Sequence, residues 1–451
     1  MKKSLYLLLF TTLFLCKANA QWSVEHLSLG RQFPGAIGYQ NKVYVAGGYI
    51  DGNAGIMTNR VDIYDNSTDT WTIDSLSSVR GDVACIGANN KVYFAGGTTD
   101  GYGNAKEVDI FDITSQTWTV DSLTTTQATC VPIKIGNKLY FAGGASDTPN
   151  GVTERVSVYD FTTNTWTADS MSIGRFALAG AAVGNIAVFA GGYENTTNYS
   201  VTDRVDIYNA TTNAWDTASL SEPRGNINAI AAGGKIFFAG GLNYATQTLS
   251  NRVDIYDVAN NSWSIASLSQ ARRSVAVATI GNLVFFAGGE SSFTQNTPSK
   301  VVDVYNIALN TWTTDSMSVP HDALTAAQLN NNKVFFIGGG SYSTNINNDE
   351  VEIFTDNTAA VQEAILNNQS ITIFPNPAFQ QAELNFELLK PATISYSLSD
   401  ITGRIVFEST PQKSSEGKQK IIINKNFNIG LYFIKLKING QEFVKKIIFE
   451  N

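Results

Sequence analysis

The sequence predicts an all-β protein, a seven-bladed β-propeller followed by a small β-sandwich. Three observations predict it. Gly-Gly doublets recur seven times, at Gly47-Gly48, Gly96-Gly97, Gly143-Gly144, Gly191-Gly192, Gly240-Gly241, Gly288-Gly289 and Gly338-Gly339, 47 to 50 residues apart. All seven tryptophans, Trp22, Trp71, Trp118, Trp166, Trp215, Trp263 and Trp312, keep the same rhythm at 47 to 49 residues. The last eighty or so residues abandon both series but retain short alternating apolar runs with no helix-length pattern. Two series at one period mark an internal repeat whose units bury their faces only against one another.

The first twenty residues stand outside the repeat. Lys2 and Lys3 precede a nearly continuous apolar run from Leu5 to Cys16, and Ala18-Asn19-Ala20 places small residues at −3 and −1 before Gln21. This is the layout of a secretory signal peptide over residues 1–20. The run is shorter than the roughly 20 residues that span a bilayer. No later stretch is long and apolar enough to do so, and the mature chain is expected to be exported without a membrane span.

Each repeat reads as four short strands, as between Arg80 and Ser122. Val83–Gly87 is apolar and Ala88-Asn89-Asn90 turns. Lys91–Ala95 ends on Gly96-Gly97, and a polar loop follows. Glu107–Asp112 and Thr117–Ser122 complete the unit. Strands this β-branched and aromatic, broken by Gly, Asn, Asp and Ser, suit a propeller blade. Trp22 precedes the first doublet and no Trp follows the last, so strand 22–27 is predicted to be the outer strand of the seventh blade. That places the propeller at 21–356, a linker at 357–369 and the sandwich at 370–451.

Composition narrows the function. The chain of 451 residues carries a net charge of −8. Residues 21–369 hold 18 basic and 32 acidic residues, a net of −14, whereas residues 370–451 are at +3. An acidic propeller offers no basic footprint for nucleic acid. Two histidines, His26 and His321, exclude most multi-His metal sites, and no cofactor or metal is expected. Three cysteines exclude a disulfide-dense scaffold. Cys85 and Cys130 lie where first strands need small apolar side chains.

An apolar strand, Gly-Gly, then Tyr-Asp or an equivalent, then Trp resembles the kelch repeat. The third-strand signature stands at Tyr64-Asp65, Phe111-Asp112, Tyr159-Asp160, Tyr208-Asn209, Tyr256-Asp257, Tyr305-Asn306 and Phe354-Thr355. The resemblance implies a kelch-type propeller whose Tyr and Trp rings fill the space within and between blades. In the tail, Pro375-Asn376-Pro377, Gly403-Arg404, Gly430-Leu431-Tyr432 and Lys445-Lys446 occur in an order that resembles the C-terminal sorting domain of the type IX secretion system. That resemblance implies passage through the periplasm and across the outer membrane, with the secretion machinery as the partner of residues 370–451.

Candidate ligand-binding residues come from the repeat. The residues entering the inner strands are Arg31, Arg80, Gln127, Arg175, Arg224, Arg272 with Arg273, and His321. A ring of guanidinium groups suits a carboxylate or sulfate. The alternative is mutual pairing within or between blades. The loops after the doublets are polar and carry Tyr49, Tyr102, Tyr193, Tyr199, Tyr244 and Tyr342, predicted to be exposed. Rigid rings on polar loops suit sugar stacking or protein contacts. The expected function is therefore non-catalytic binding of a glycan or protein on this face. The loop acids Asp51, Asp100, Asp147, Glu194 and Glu290 leave a carbohydrate-processing enzyme at the channel mouth as the alternative. Kelch resemblance extends that alternative to a glycosidase or a sialic-acid-type sugar isomerase. Asp-Ser/Thr-apolar triplets after the tryptophans (Asp74-Ser75-Leu76, Asp121-Ser122-Leu123, Asp169-Ser170-Met171, Asp216-Thr217-Ala218, Asp315-Ser316-Met317) resemble an O-glycosylation acceptor. They also read as a repeated strand ending.

Overall fold

The structure is a computed structural model that describes residues 21–51, 55–101, 103–329, 332–341, 346–356, 371–388, 391–425, 428–438 and 441–450. The signal-peptide reading, the linker 357–369, Tyr102 and Tyr342 lie outside the described residues. The chain divides into two compact units, with a boundary between Thr355 and Asp356.

The first unit holds seven antiparallel four-stranded sheets. Blade 1 runs Gly35–Tyr39, Lys42–Ala46, Arg60–Asp65, Thr70–Ser75 from the inside out. The same order repeats to blade 6, which ends on Thr311–His321. Blade 7 is built from Thr325–Leu329, Lys333–Ile337 and Glu350–Thr355, and its outer strand is Gln21–His26 from the start of the chain. Every inner strand packs against those of the two adjacent blades, blade 7 against blade 1 included. The ring is thus closed.

The doublets stitch each blade to the next. Gly48 N donates to the carbonyl of Arg80 in blade 2, and the pattern runs around the ring until Gly339 N donates to the carbonyl of Arg31, at 2.9 Å in both cases. Gly47 and Gly48 have φ of +64° and +107°, and a Cβ on Gly47 would sit 2.3 Å from the Arg80 carbonyl oxygen. Only glycine satisfies both the left-handed backbone and this close approach.

The aromatic signature is a cross-strand pair. Tyr64 is in register with Trp71, Tyr208 with Trp215 and Tyr256 with Trp263. Their ring centroids lie 4.9–5.2 Å apart. The Tyr208, Tyr256 and Tyr305 hydroxyls donate to Asn213, Asn261 and Asn310, which hold left-handed turn positions before the outer strand. The indole N–H then reaches the preceding blade. Trp118, Trp166, Trp215 and Trp22 donate to Asp74, Asp121, Asp169 and Asp315 at 2.8–3.0 Å. These four aspartates are members of the Asp-Ser triplets, so the triplet acid is a blade-to-blade tie. Asp216-Thr217-Ala218 is out of step with them, because Ala218 holds the position that the other four fill with Asp. Cys85 and Cys130 are free, buried thiols.

The second unit is a sandwich. One sheet comprises Thr372–Phe374, Gln381–Leu388 and Gly417–Asn424. The other comprises Ile405–Glu408, Ala392–Asp400, Gly430–Ile438 and Gln441–Phe449, with Gln412–Ser414 also paired to Ala392–Asp400. Strict alternation in Gln381–Leu388 and Gly430–Ile438 turns Leu384, Phe386, Ile434 and Leu436 into one core. The motif residues hold this fold together. Asn376 donates to the Lys446 carbonyl and accepts from Ile448 N, both at 2.9 Å. Asp400 caps its turn by accepting from Thr402 N and Arg404 N.

Trp22→Ala removes the ring that packs on Phe336 and Phe354 and the tie to Asp315. Truncating a core-packed aromatic costs about 3 kcal/mol. Denaturant unfolding of the propeller should report a loss of that order, and unchanged stability would refute closure through the first strand.

Candidate functional site

The arginines that enter the inner strands do not face a ligand. Arg31, Arg80, Arg175 and Arg272 are fully buried and Arg224 is 1% exposed. Each pairs with an aspartate in the third strand of its own blade. The partners are Asp62 at 2.7 Å, Asp109, Asp206, Asp254 at 2.6 Å and Asp303. The guanidinium also donates to main-chain carbonyls of the second and third strands, as Arg80 does to Gly96 at 2.7 Å and Glu107 at 3.0 Å. The aspartate's second oxygen accepts the N–H of the residue just after the preceding outer strand, Ser77 for Asp109 and Ser269 for Asp303. Each pair therefore pins the crossing from one blade to the next. Burial pulls Arg31, Arg80, Arg175 and Arg272 below their ordinary pKa, and the adjacent carboxylates oppose it.

Blades 3 and 7 solve the same problem with other residues. In blade 3, Gln127 donates to the carbonyls of Phe141 and Gly143, accepts from Ser157, and Ser157 in turn accepts Thr124 N. Both charges have been replaced together. In blade 7, His321 is buried beside Glu352, and its Nδ1 lies 2.7 Å from the Gly338 carbonyl. Burial depresses the His321 pKa, and the Gly338 carbonyl and Glu352 oppose it. The expectation that Arg31, Arg80, Arg175, Arg224, Arg272 and His321 bind an external ligand is thus corrected. They are spent on the scaffold, because a buried charge needs its partner and its hydrogen bonds inside the protein.

The tyrosine expectation also changes. Tyr193 is 2% exposed and Tyr49 is half-buried. Each lies against a glycine of the next blade, Tyr49 on Gly81 and Tyr193 on Gly225, where a Cβ would strike the ring at 2.4 Å. Tyr49 donates to Asp82 at 2.8 Å, and Thr98 adds a second donor at 3.2 Å. Burial nevertheless raises the Asp82 carboxyl above its usual range. Of the three tyrosines named as ligand contacts, only Tyr244 is exposed, at 37%.

The channel mouth is formed by residues that carried no signal in the sequence. Two positions after each Arg, Gln or His stand Phe33, Asp82, Thr129, Ala177, Asn226, Ser274 and Ala323. All seven adopt left-handed φ of 47–54°. Four of their N–H groups donate to the carbonyl of the equivalent residue one blade back: Phe33 to Ala323, Asp82 to Phe33, Asn226 to Ala177 and Ser274 to Asn226. This circular hydrogen bonding accounts for the backbone conformation, which costs of order 1 kcal/mol per non-glycine residue. The seven residues line a cavity of about 370 Å³. Six residue types occupy the seven positions, with only alanine repeated, so a search for periodic residues passes over them.

One side of the mouth is elaborated. A second cavity of about 310 Å³ shares Phe33, Asn226, Ser274 and Ala323 with the first and adds Arg273, Glu290, Asn296 and Asp322. Glu290 accepts from Arg273 Nε at 3.1 Å and Nη2 at 2.6 Å. Desolvation raises its pKa and Arg273 works against that rise. Leading away from this pair, Arg273 lies over Phe293, Phe293 meets Tyr244, Tyr244 lies 4.7 Å from Tyr199, and Tyr199 contacts Tyr193 and Phe176. This aromatic path crosses blades 4, 5 and 6 on the loop face.

Comparison with known proteins agrees with this architecture. Residues 127–340 match the KLHDC2/KLHL20/DRC7 Kelch-repeats domain, and residues 372–450 match the secretion system C-terminal sorting domain. The solved structure of YjhT is similar in fold at 15% sequence identity and a TM-score of 0.50, over 64% of this chain and 99% of that chain. No curated protein matches the chain. The protein is a kelch-repeat β-propeller with a C-terminal type IX sorting domain, exported to the cell surface or beyond.

Asp206→Ser strands the Arg175 charge in the core, which costs about 3–5 kcal/mol. The double change Arg175→Gln with Asp206→Ser installs the blade 3 solution in blade 4 and should recover most of that loss. Urea unfolding of the two single variants and the double variant measures the coupling, and additive losses would show that the two residues do not act as a pair.

Proposed function

We propose that this exported propeller is a non-catalytic binding protein that takes a glycan at the loop-face mouth. The observation that carries the reading is the aromatic path Phe176–Tyr193–Tyr199–Tyr244–Phe293, which ends at the Arg273–Glu290 pair beside an open cavity. Aromatic faces stack on the C–H face of a sugar ring while flanking amides, hydroxyls and carboxylates take its hydroxyl groups. Tyr199 and Tyr244 add stacking area at little entropic cost, since each ring is already held by its neighbours.

Two further parts complete the reading. The signal peptide over residues 1–20 delivers the chain to the periplasm, and the sorting domain engages the type IX machinery. A sugar-processing enzyme is the second reading, favoured by the carboxylates Asp82, Glu290 and Asp322 at the mouth. It predicts turnover of whatever glycan binds, whereas a binding module returns the glycan unchanged.

Tyr244→Ala tests the site with little risk to the fold, because the side chain is partly exposed. Loss of one stacked ring should weaken glycan binding about tenfold without shifting thermal unfolding. Wild-type affinity in the variant would place the ligand elsewhere, and binding to immobilised proteins in the absence of any glycan binding would favour a protein ligand. Removing residues 372–450 should leave a folded propeller that accumulates in the periplasm, which cell fractionation would detect. Normal appearance of the truncated chain outside the cell would defeat the export role.

A further inference from the structure

We infer that the mouth selects an uncharged glycan terminus and rejects carboxylated or sulfated ones. This rests on the glycan-binding reading above and names the class of sugar that the site takes. The cavity of about 310 Å³ is walled by Phe33 and lined by Asn226, Ser274 and Asn296, groups that can exchange hydrogen bonds with hydroxyls. Glu290 lines it too and is 2% exposed. Its Oε2 is taken by both Arg273 donors, and its Oε1 has no hydrogen-bond partner among the described residues. A buried carboxylate oxygen without a donor is costly, and a sugar hydroxyl supplies the missing donor as a charge-assisted bond.

The charge around the mouth decides the class. Among the described residues, Arg273 is the one cation lining either cavity, while Asp82, Glu290 and Asp322 all contribute carboxyl groups. Arg273 is already committed to Glu290. The five arginines that the sequence offered as anion receptors are buried and neutralised by the acids of their own blades. An anionic ligand would therefore face like charges in a partly desolvated site with no free cation to meet it, and like-charge juxtaposition is a strong discriminator at interfaces. A neutral sugar meets acceptors for its hydroxyls and aromatic faces for its ring.

The test uses the full secreted chain on an array that pairs neutral oligosaccharides with their carboxylated and sulfated counterparts. Neutral members should bind, and each acidic counterpart should bind at least about tenfold more weakly. Glu290→Gln keeps the shape of the side chain but weakens its acceptor, and should lower affinity for the neutral ligand about tenfold to a hundredfold. Asn296→Lys puts a free cation at the rim and should narrow the gap between neutral and acidic ligands. If Glu290→Gln does not fold, the Asn296→Lys arm decides. A preference for acidic glycans that Tyr244→Ala abolishes would overturn the inference and leave the binding site in place. No glycan binding by the wild-type chain would overturn both. Unchanged affinity in a folded Glu290→Gln variant would overturn the assignment of Glu290.

Discussion

The buried pair between the arginine entering the inner strand of five blades and the aspartate of the third strand is the interaction on which the rest of the propeller depends. Its guanidinium ties three strands of one blade, its main-chain carbonyl receives the glycine N–H of the preceding blade, and its aspartate catches the crossing chain. A residue that serves three connections at once cannot be placed loosely. Burial strengthens each of these contacts electrostatically and makes the loss of either partner severe. Blade 3 shows that charge itself is dispensable provided both partners change together, since Gln127 and Ser157 reproduce the contacts with neutral groups.

Around this pair the ring is held by interactions that are weak singly and repeated. Glycine N–H groups bridge neighbouring blades, indole N–H groups reach the aspartate of the blade before, and Tyr–Trp or Phe–Trp pairs cover the outer half of the sheets. The ties are not uniform. Ala218 and Ala266 occupy the position of Asp74, so the outer strands of blades 4 and 5 offer no carboxylate there to the indoles of Trp263 and Trp312. Closure compensates, because a ring distributes the loss of one boundary over its neighbours in a way that an open array of repeats cannot.

Much of this was legible in the sequence because repetition amplifies it. A doublet or a tryptophan seen once is ambiguous, but seen seven times at one period it states a blade count. The offset of Trp22 from the first doublet identifies the strand that completes blade 7. The same amplification misled the reading of Arg31, Arg80, Arg175, Arg224 and Arg272. A residue repeated in five of seven blades has a role common to those blades, and that role is structural. Tyr193 failed for a local reason. Its burial depends on Gly225 in the next blade leaving room for the ring, a relation between positions 32 residues apart that no single repeat displays.

The collar at the channel mouth is the complement of that lesson. Phe33, Asp82, Thr129, Ala177, Asn226, Ser274 and Ala323 share one backbone conformation and no chemistry. Main-chain hydrogen bonds fix where each residue stands without fixing what it is, so side chains there can vary at little cost to the scaffold. A binding surface requires that freedom, and a pairing that has to recur in every blade does not allow it. The asymmetry of the ring follows the same division. Arg273 and Glu290 lie beside the repeated geometry of Arg272 and Gly289 in blade 6, and the rings of Tyr199, Tyr244 and Phe293 occupy post-glycine loops whose lengths differ between blades. The repeated positions make the ring, and the positions next to them give the sector of blades 4 to 6 its own chemistry at the mouth.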